Sequence, residues 1–155
     1  MDSQFNPELF LQTSYNQETS TKSEPLDLGE YVGLIQNLNP RQVQGKQDPT
    51  KTYVFLDMEI KVNTPPEQLE RVGRESSNLR YSVGVEFNDA GAIDMGKGKN
   101  IGLGRLREAV GQNVSGQPWS PAMLNNQMVK VKVGQTPNPK DSSIIWNEIT
   151  AVGKP

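Results

Sequence analysis

The alternation of apolar and polar side chains over residues 52–62, TYVFLDMEIKV, is the strongest structural signal in this chain. A period of two is the side-chain period of a β-strand with one buried face. The side chains expected to face the core are Val54, Leu56, Met58, Ile60 and Val62. Tyr53, Phe55, Asp57, Glu59 and Lys61 are expected to face outward.

Four further segments are predicted to be strands: residues 26–40, 80–88, 126–135 and 143–152. The internal Gly33 predicts a bend or bulge in the first of them. A short helix is expected after Thr64, as a capping box with Glu67, and it should end near Gly73. A second helix is expected after Asn100, with Leu103, Leu106 and Val110 on its buried side.

The resulting order is three strands, one helix and two strands, with a short helical insertion before the third strand. This is the chain order of an OB-fold. We therefore predict a mostly β protein, a five-stranded OB-fold-like Greek-key barrel with a helix between strands 3 and 4. Another small β-barrel or sandwich with one helix is the alternative.

The length of 155 residues suits one domain, preceded by a polar terminus. Residues 1–24 are rich in Gln, Ser, Thr and Asn and are predicted to be a flexible N-terminal arm. Within this arm, Phe5, Leu9 and Phe10 can share one face of a brief helix after Pro7. Residues 25–155 are predicted to form the barrel domain.

The chain has no cysteine and no histidine, which excludes hydrolases built on Ser-His or Cys-His pairs and thiolate zinc sites. Its acidic residues show no metal-binding loop pattern, so we predict no catalytic residue, no metal and no cofactor. The sequence also has no signal-peptide pattern and no apolar run long enough to cross a bilayer. We therefore expect an intracellular protein without a membrane partner.

Positive charge is concentrated in one window although the net charge is −2. Residues 1–27 carry a net charge of −4, which leaves +2 for the rest of the chain. Lys97, Lys99, Arg105 and Arg107 lie within eleven residues that contain no acid. The loop GKGK is not a nucleotide P-loop, because Asn100 stands where Ser or Thr is needed. Two interpretations stay open: Asn100 simply caps a helix, or the window contacts a nucleic-acid backbone.

Outward-facing side chains offer further candidate contacts. Tyr53 and Phe55 are suited to stacking on unpaired bases, or else pack beneath the arm or the insertion. Lys130 and Lys132 either line a groove or protect a sheet edge from pairing. Trp119 is expected to close the barrel below the helix, and Trp146 is expected to pack rather than to bind a ligand.

Three stretches resemble a group of small bacteriophage proteins: FNPELFLQTS with EPLDLGEYVGLIQ, then GAIDMGKGKNIGLGRLREAVGQN, then PWSPAMLNNQMVKVKV. That group resembles single-stranded DNA-binding, OB-fold proteins of phage replication and recombination. The resemblance implies a phage-encoded, non-enzymatic binder of single-stranded DNA in the host cell cytoplasm. It also implies a possible homo-oligomer or phage replication proteins as partners. By position, its DNA contacts would be Lys97, Lys99, Arg105, Arg107, Tyr53 and Phe55.

A second hypothesis comes from the net negative charge and from the apolar residues of the arm. In this view the barrel is the scaffold of a protein-interaction or virion-structural module, and the arm is its strap.

Overall fold

A computed structural model describes residues 4–21 and 24–155. Within them, five antiparallel strands form one sheet in the order β3-β2-β1-β4-β5. The strands are β1 (Gly29–Gln44), β2 (Thr52–Asn63), β3 (Ser76–Val85), β4 (Met128–Asn138) and β5 (Asp141–Gly153). The helices are α1 (Pro7–Gln12), α2 (Pro66–Val72) and α3 (Ile101–Ala109), with a short 3-10 helix at Pro121–Leu124. The predicted β-rich architecture and its chain order are confirmed.

Strand β1 joins the two halves of the sheet. Its C-terminal part pairs with β2 and its N-terminal part pairs with β4, and Gly33 pairs with both neighbours. A Cβ atom at Gly33 would lie 2.5 Å from Cγ2 of Ile60, so only glycine fits at this crossing. The bulge predicted at Gly33 instead lies between Gln36 and Asn39, where Asn37 adopts a φ of 56°.

The core lies against one face of the sheet and is closed by α3. The predicted inward residues of β2 are buried from Leu56 to Val62, and Leu103 and Leu106 of α3 are buried in the same core as expected, where α3 contacts β3 and β5. Phe87 differs from the prediction, because it lies beyond the end of β3 and its side chain is 48% exposed.

The insertion between β2 and β3 begins differently from the predicted capping box. The first residue of α2 is Pro66, and the Thr64 hydroxyl donates to the carbonyl of Arg74, 2.6 Å away. Thr64 therefore joins the two ends of the insertion. Gly73 ends α2 with a φ of 77°, as predicted.

The sheet is open in the described part of the chain, since no hydrogen-bonded ladder joins its edge strands β3 and β5. The two edges approach each other across a groove of about 810 Å³ lined by residues of both strands. We call this gap between β3 and β5 the seam.

Residues 24–27, which we call the clasp, lie at the seam. Leu26 is fully buried, and its backbone N–H donates to Oδ1 of Asn147 at 2.8 Å. The Leu26 carbonyl accepts from Gln135 and from Asn147, which ties the clasp to β4 and β5.

The clasp also binds the other side of the seam. The Asp27 backbone N–H donates to Oε1 of Gln68 in α2 at 2.9 Å, and Arg71 forms ion pairs with Glu24 and Asp27. The clasp therefore connects β4 and β5 to α2 where the sheet itself is not hydrogen-bonded.

Substitution of Leu26 by alanine tests how much the clasp stabilises the fold. We expect Leu26→Ala to lower the free energy of unfolding by about 2–5 kcal/mol, because it leaves a cavity in the core. Chemical denaturation followed by circular dichroism measures this value. Leu28→Ala is the matched control, since Leu28 is 68% exposed, and it should change stability by less than about 0.5 kcal/mol. Equal effects of the two substitutions would contradict the role of the clasp.

Candidate nucleic-acid interface

Phe55 and Tyr53 lie on the outer face of β2, as the alternation predicts. Phe55 pairs with Arg41 of β1 and with Gly84 of β3. The Arg41 guanidinium carbon lies 4.9 Å from the centroid of the Phe55 ring, and the ring also covers Gly84. Tyr53 is half exposed. One ring is thus partly covered by a cation, and the next ring along the strand is open to a ligand.

Asp57 is buried on this same face, next to Phe55. Arg41 donates to Asp57 through Nε at 2.7 Å, and the hydroxyl of Ser82 donates to the same carboxylate. A guanidinium nitrogen of Arg80, on β3, lies 4.0 Å from Oδ2 of Asp57. Hydrogen bonds from Arg41 and then from Ser82 hold the pKa of Asp57 below its ordinary value, although burial opposes them. Asp57 therefore stays ionised, and its charge is compensated by two arginines.

This pairing changes what the outward acids of β2 mean for a ligand. From the sequence, Asp57 and Glu59 should repel phosphates. In the structure Asp57 faces Arg41 and Arg80, and Glu59 accepts a hydrogen bond from the Asn37 amide at 2.9 Å. We call Arg41, Tyr53, Phe55, Asp57 and Arg80 together the stacking face.

Sequence reasoning missed Arg41, Arg80 and Ser82. They become neighbours of β2 only through the strand register, which places Arg41 beside Phe55 and Ser82 beside Asp57. Arg80 stood at an outward position of the predicted third strand and was an available signal, whereas Arg41 lay beyond the predicted end of the first strand at residue 40 and joins β1 only because the observed strand continues to Gln44.

The loop containing Lys97 and Lys99 lies beyond the end of β3. Asn100 fixes it there, because its side chain accepts from the backbone N–H of Glu86 and donates to the carbonyls of Glu86 and Asp94. Asn100 occupies the predicted N-cap position of α3, but its side chain makes no capping hydrogen bond to the helix. Asn100 adopts a left-handed φ of 52°, and its side chain binds the backbone of Glu86 and Asp94, which follow β3 in the chain.

Lys97 and Lys99 are exposed, and neither forms an ion pair with any residue that the structure describes. Their loop is held at Glu86, the residue after Val85 at the end of β3. Val85 pairs with Val54 of β2, which stands between the two aromatic residues of that strand. The two lysines thus lie at the end of the sheet that carries the aromatic side chains.

Arg105 and Arg107 have different environments. Arg105 is exposed. Burial of the Tyr81 side chain raises the pKa of Tyr81, and the positive charge of Arg105 opposes this shift in part. Arg107 lies with its guanidinium carbon 4.2 Å from the Trp119 ring centroid and donates to the Gln112 carbonyl. Arg107 therefore packs α3 against the following loop, and Arg105 is the one of the pair that faces solvent.

Trp119 packs against the core and donates from Nε1 to Oε1 of Gln112 at 2.9 Å; its predicted role in closing a barrel stays a prediction. Trp146 of β5 is 47% exposed and lines the seam.

Lys130 and Lys132 lie on β4, on the same sheet face as the aromatic side chains. Leu34 pairs with both Lys61 and Met128, so the outward residues of β2 and β4 share one face. Strand β4 lies between β1 and β5, so the interpretation of these lysines as edge protection is wrong. Lys130 forms an ion pair with Glu30, with 3.7 Å between Nζ and Oε2. Lys132 is exposed.

Within residues 4–21 and 24–155, no group of three or more acidic residues is arranged to hold a metal ion. No helix in the same ranges has the length and apolar character needed to cross a membrane.

No protein-family model matches the chain, and no curated protein matches it. The resemblance to phage DNA-binding proteins therefore stays a prediction.

The charge compensation at Asp57 predicts a specific pH dependence. The carboxylate stabilises the fold above the ordinary aspartate pKa of about 3.9, and this contribution is lost as the pH falls through the lowered folded value. We expect Asp57→Asn to lower the free energy of unfolding at neutral pH by about 1–3 kcal/mol. The difference from the unmodified protein should shrink below about pH 4.

Urea denaturation at several pH values measures this difference. Glu59→Gln is the control, because Glu59 accepts its hydrogen bond from a neutral amide rather than from arginine. An Asp57→Asn protein with the same stability as the unmodified protein at all pH values would refute the compensation.

Proposed function

We propose that this protein is a non-enzymatic single-stranded DNA-binding protein of phage replication or recombination, acting in the host cell cytoplasm. The observation that carries the proposal is the stacking face, where a half-exposed tyrosine adjoins a phenylalanine covered by arginine. Aromatic rings on a strand surface stack on unpaired bases of any sequence, and nearby arginines attract phosphates.

The proposal includes an OB-fold-like Greek-key barrel. Strand β1 pairs with both β2 and β4, and α3 lies between β3 and β4 in the chain and contacts β3 and β5. The edges of the sheet approach each other at the seam. These features support a partly open barrel, the architecture whose strand 2 and 3 face binds oligonucleotides.

The position of the charges indicates the path that a bound DNA strand would take across the surface. The stacking face would hold bases on β2, and the exposed lysines past the end of β3 would contact the backbone of the same strand. Arg105 can extend this contact, whereas the Arg107 guanidinium packs against the Trp119 ring. Lys130 and Lys132 would serve a strand that continues across β1 onto β4.

The second candidate is a protein-interaction or virion-structural module with the arm as its strap. The observation that favours it is the exposure of the apolar side chains of α1. Partners of this module would be proteins, including further copies of the chain.

Salt dependence tests the backbone contacts. For single strands, each phosphate contact contributes about −0.7 to the slope of log affinity against log salt concentration. We expect the double substitution Lys97→Gln and Lys99→Gln to make the slope less steep by about 1.4, measured by fluorescence titration of an oligonucleotide. Lys140→Gln with Lys154→Gln removes the same charge elsewhere and should change the slope by less. Equal slopes for the two double variants would refute the assignment, and no binding by the unmodified protein at low salt would refute the function.

Substitution of Tyr53 tests base stacking. We expect Tyr53→Ala to weaken oligonucleotide binding by about 1–3 kcal/mol, the usual contribution of one stacked base. Because Tyr53 is half exposed, the fold should persist, which thermal unfolding can check. Tyr15→Ala removes an exposed tyrosine from the arm and is the matched control. Similar losses for the two variants would contradict the stacking face.

A further inference from the structure

Helix α1 presents a strongly apolar surface to solvent. The exposed fractions of Phe5, Leu9, Phe10 and Leu11 range from 58% to 79%, and the Phe5 and Phe10 ring centroids lie 5.4 Å apart. A cluster of large apolar side chains on a polar segment is the pattern of a docking element.

The side chains of the two residues that flank α1 cap its ends. Asn6 Oδ1 accepts from the backbone N–H groups of Glu8 and Leu9, each at 3.1 Å. The Thr13 hydroxyl donates to the Leu9 carbonyl at 2.6 Å. Isolated short helices are marginal in water, so these caps favour a helix that already has its docking shape.

An apolar groove lies at the far end of β3 from the clasp. It has a volume of about 830 Å³, and among the residues that the structure describes its polar lining is uncharged and consists of amide side chains: Gln36, Asn37, Asn125 and Asn126. Its apolar lining includes Leu38, Val54, Val85, Phe87, Ile93 and Ala122. A six-residue helix about 9 Å long and 10 Å wide occupies on the order of 700 Å³, so α1 matches the groove in size. Only Glu8 of α1 is charged, so the two surfaces also match in polarity.

The length of the arm argues against docking in the groove of the same molecule. The arm joins the body at Glu24, whose carbonyl binds Arg74 before the start of β3, and the groove adjoins Val85 at its other end. The ten residues of β3 separate these points by about 30 Å. The twelve residues from 13 to 24 span about 20 Å as a coil and about 40 Å when fully stretched. Docking within one molecule would therefore stretch the arm to about three quarters of its full length, well beyond its coil dimension, whereas a neighbouring molecule can offer its groove without this cost.

We propose that α1 of one molecule binds the apolar groove of a second copy of this chain. The contact joins two different surfaces, so it is head-to-tail and can continue from copy to copy as an open chain. It does not depend on DNA binding, because neither surface includes the stacking face or the loop of Lys97 and Lys99.

Sedimentation of the full chain without DNA, at several concentrations, tests this contact. The unmodified protein should form species that grow with concentration. Phe10→Glu removes an apolar anchor from α1, and Ala122→Arg blocks the groove from an exposed position on the 3-10 helix. Each substitution should weaken self-association at least about tenfold, as loss of a central interface residue does.

An equimolar mixture of the two variants gives the decisive measurement. The Ala122→Arg chain keeps its helix and the Phe10→Glu chain keeps its groove, so the mixture should form a dimer and stop there. Gln17→Glu adds the same charge to the arm outside α1 and should leave association unchanged. Deletion of residues 1–20 removes the helix without touching the core and should give a monomer.

Three results would overturn the proposal: a monomeric unmodified protein, a mixture that stays monomeric, or association that persists without residues 1–20. Oligonucleotide titration of the same variants separates this outcome from the proposed function. Failure of self-association with intact DNA binding would remove only the contact between copies.

Discussion

The pairing of β1 with two partners is the interaction on which the rest of the structure depends. Each half of the sheet is a hairpin extended by β1, and in the described part of the chain the hydrogen-bonded ladders of the two halves meet only at Gly33 and Leu34. The absence of a side chain at Gly33 lets β1 pass close to Ile60, and the bulge that follows redirects the strand along β2. Strand β1 contributes side chains both to the stacking face and to the core, so a change that displaces β1 would disturb both.

Charge compensation determines what the outer face can bind. An isolated carboxylate beside an aromatic ring would repel a phosphate chain, but a carboxylate between two arginines positions them. Arg41 acts twice, because one guanidinium donates to Asp57 and also covers Phe55. The acid in β2 thus fixes the orientation of a cation over the ring, in the geometry of a cation–π contact.

The sequence predicted the strands well where one face is buried, because the period of two survives in the residues themselves. The alternation in β2 located the core face, and Leu103 and Leu106 located the buried side of α3. Long-range register was not predictable in the same way, since the chain carries no local mark of which strand lies beside which. That is why Arg41 was missed, why Lys130 was assigned to an edge, and why the Asn100 side chain was expected to cap its own helix rather than to bind Glu86.

The clasp has a mechanical consequence. A pull on the arm reaches the folded body at residues 24–27, and Leu26 is where it meets the core. The same residues connect β4 and β5 to α2, so tension along the arm loads the seam before any ladder of the sheet. In a molecule whose arm is held by a neighbour, strain would pass between copies through the clasp. The seam would then be the first part of the molecule to open.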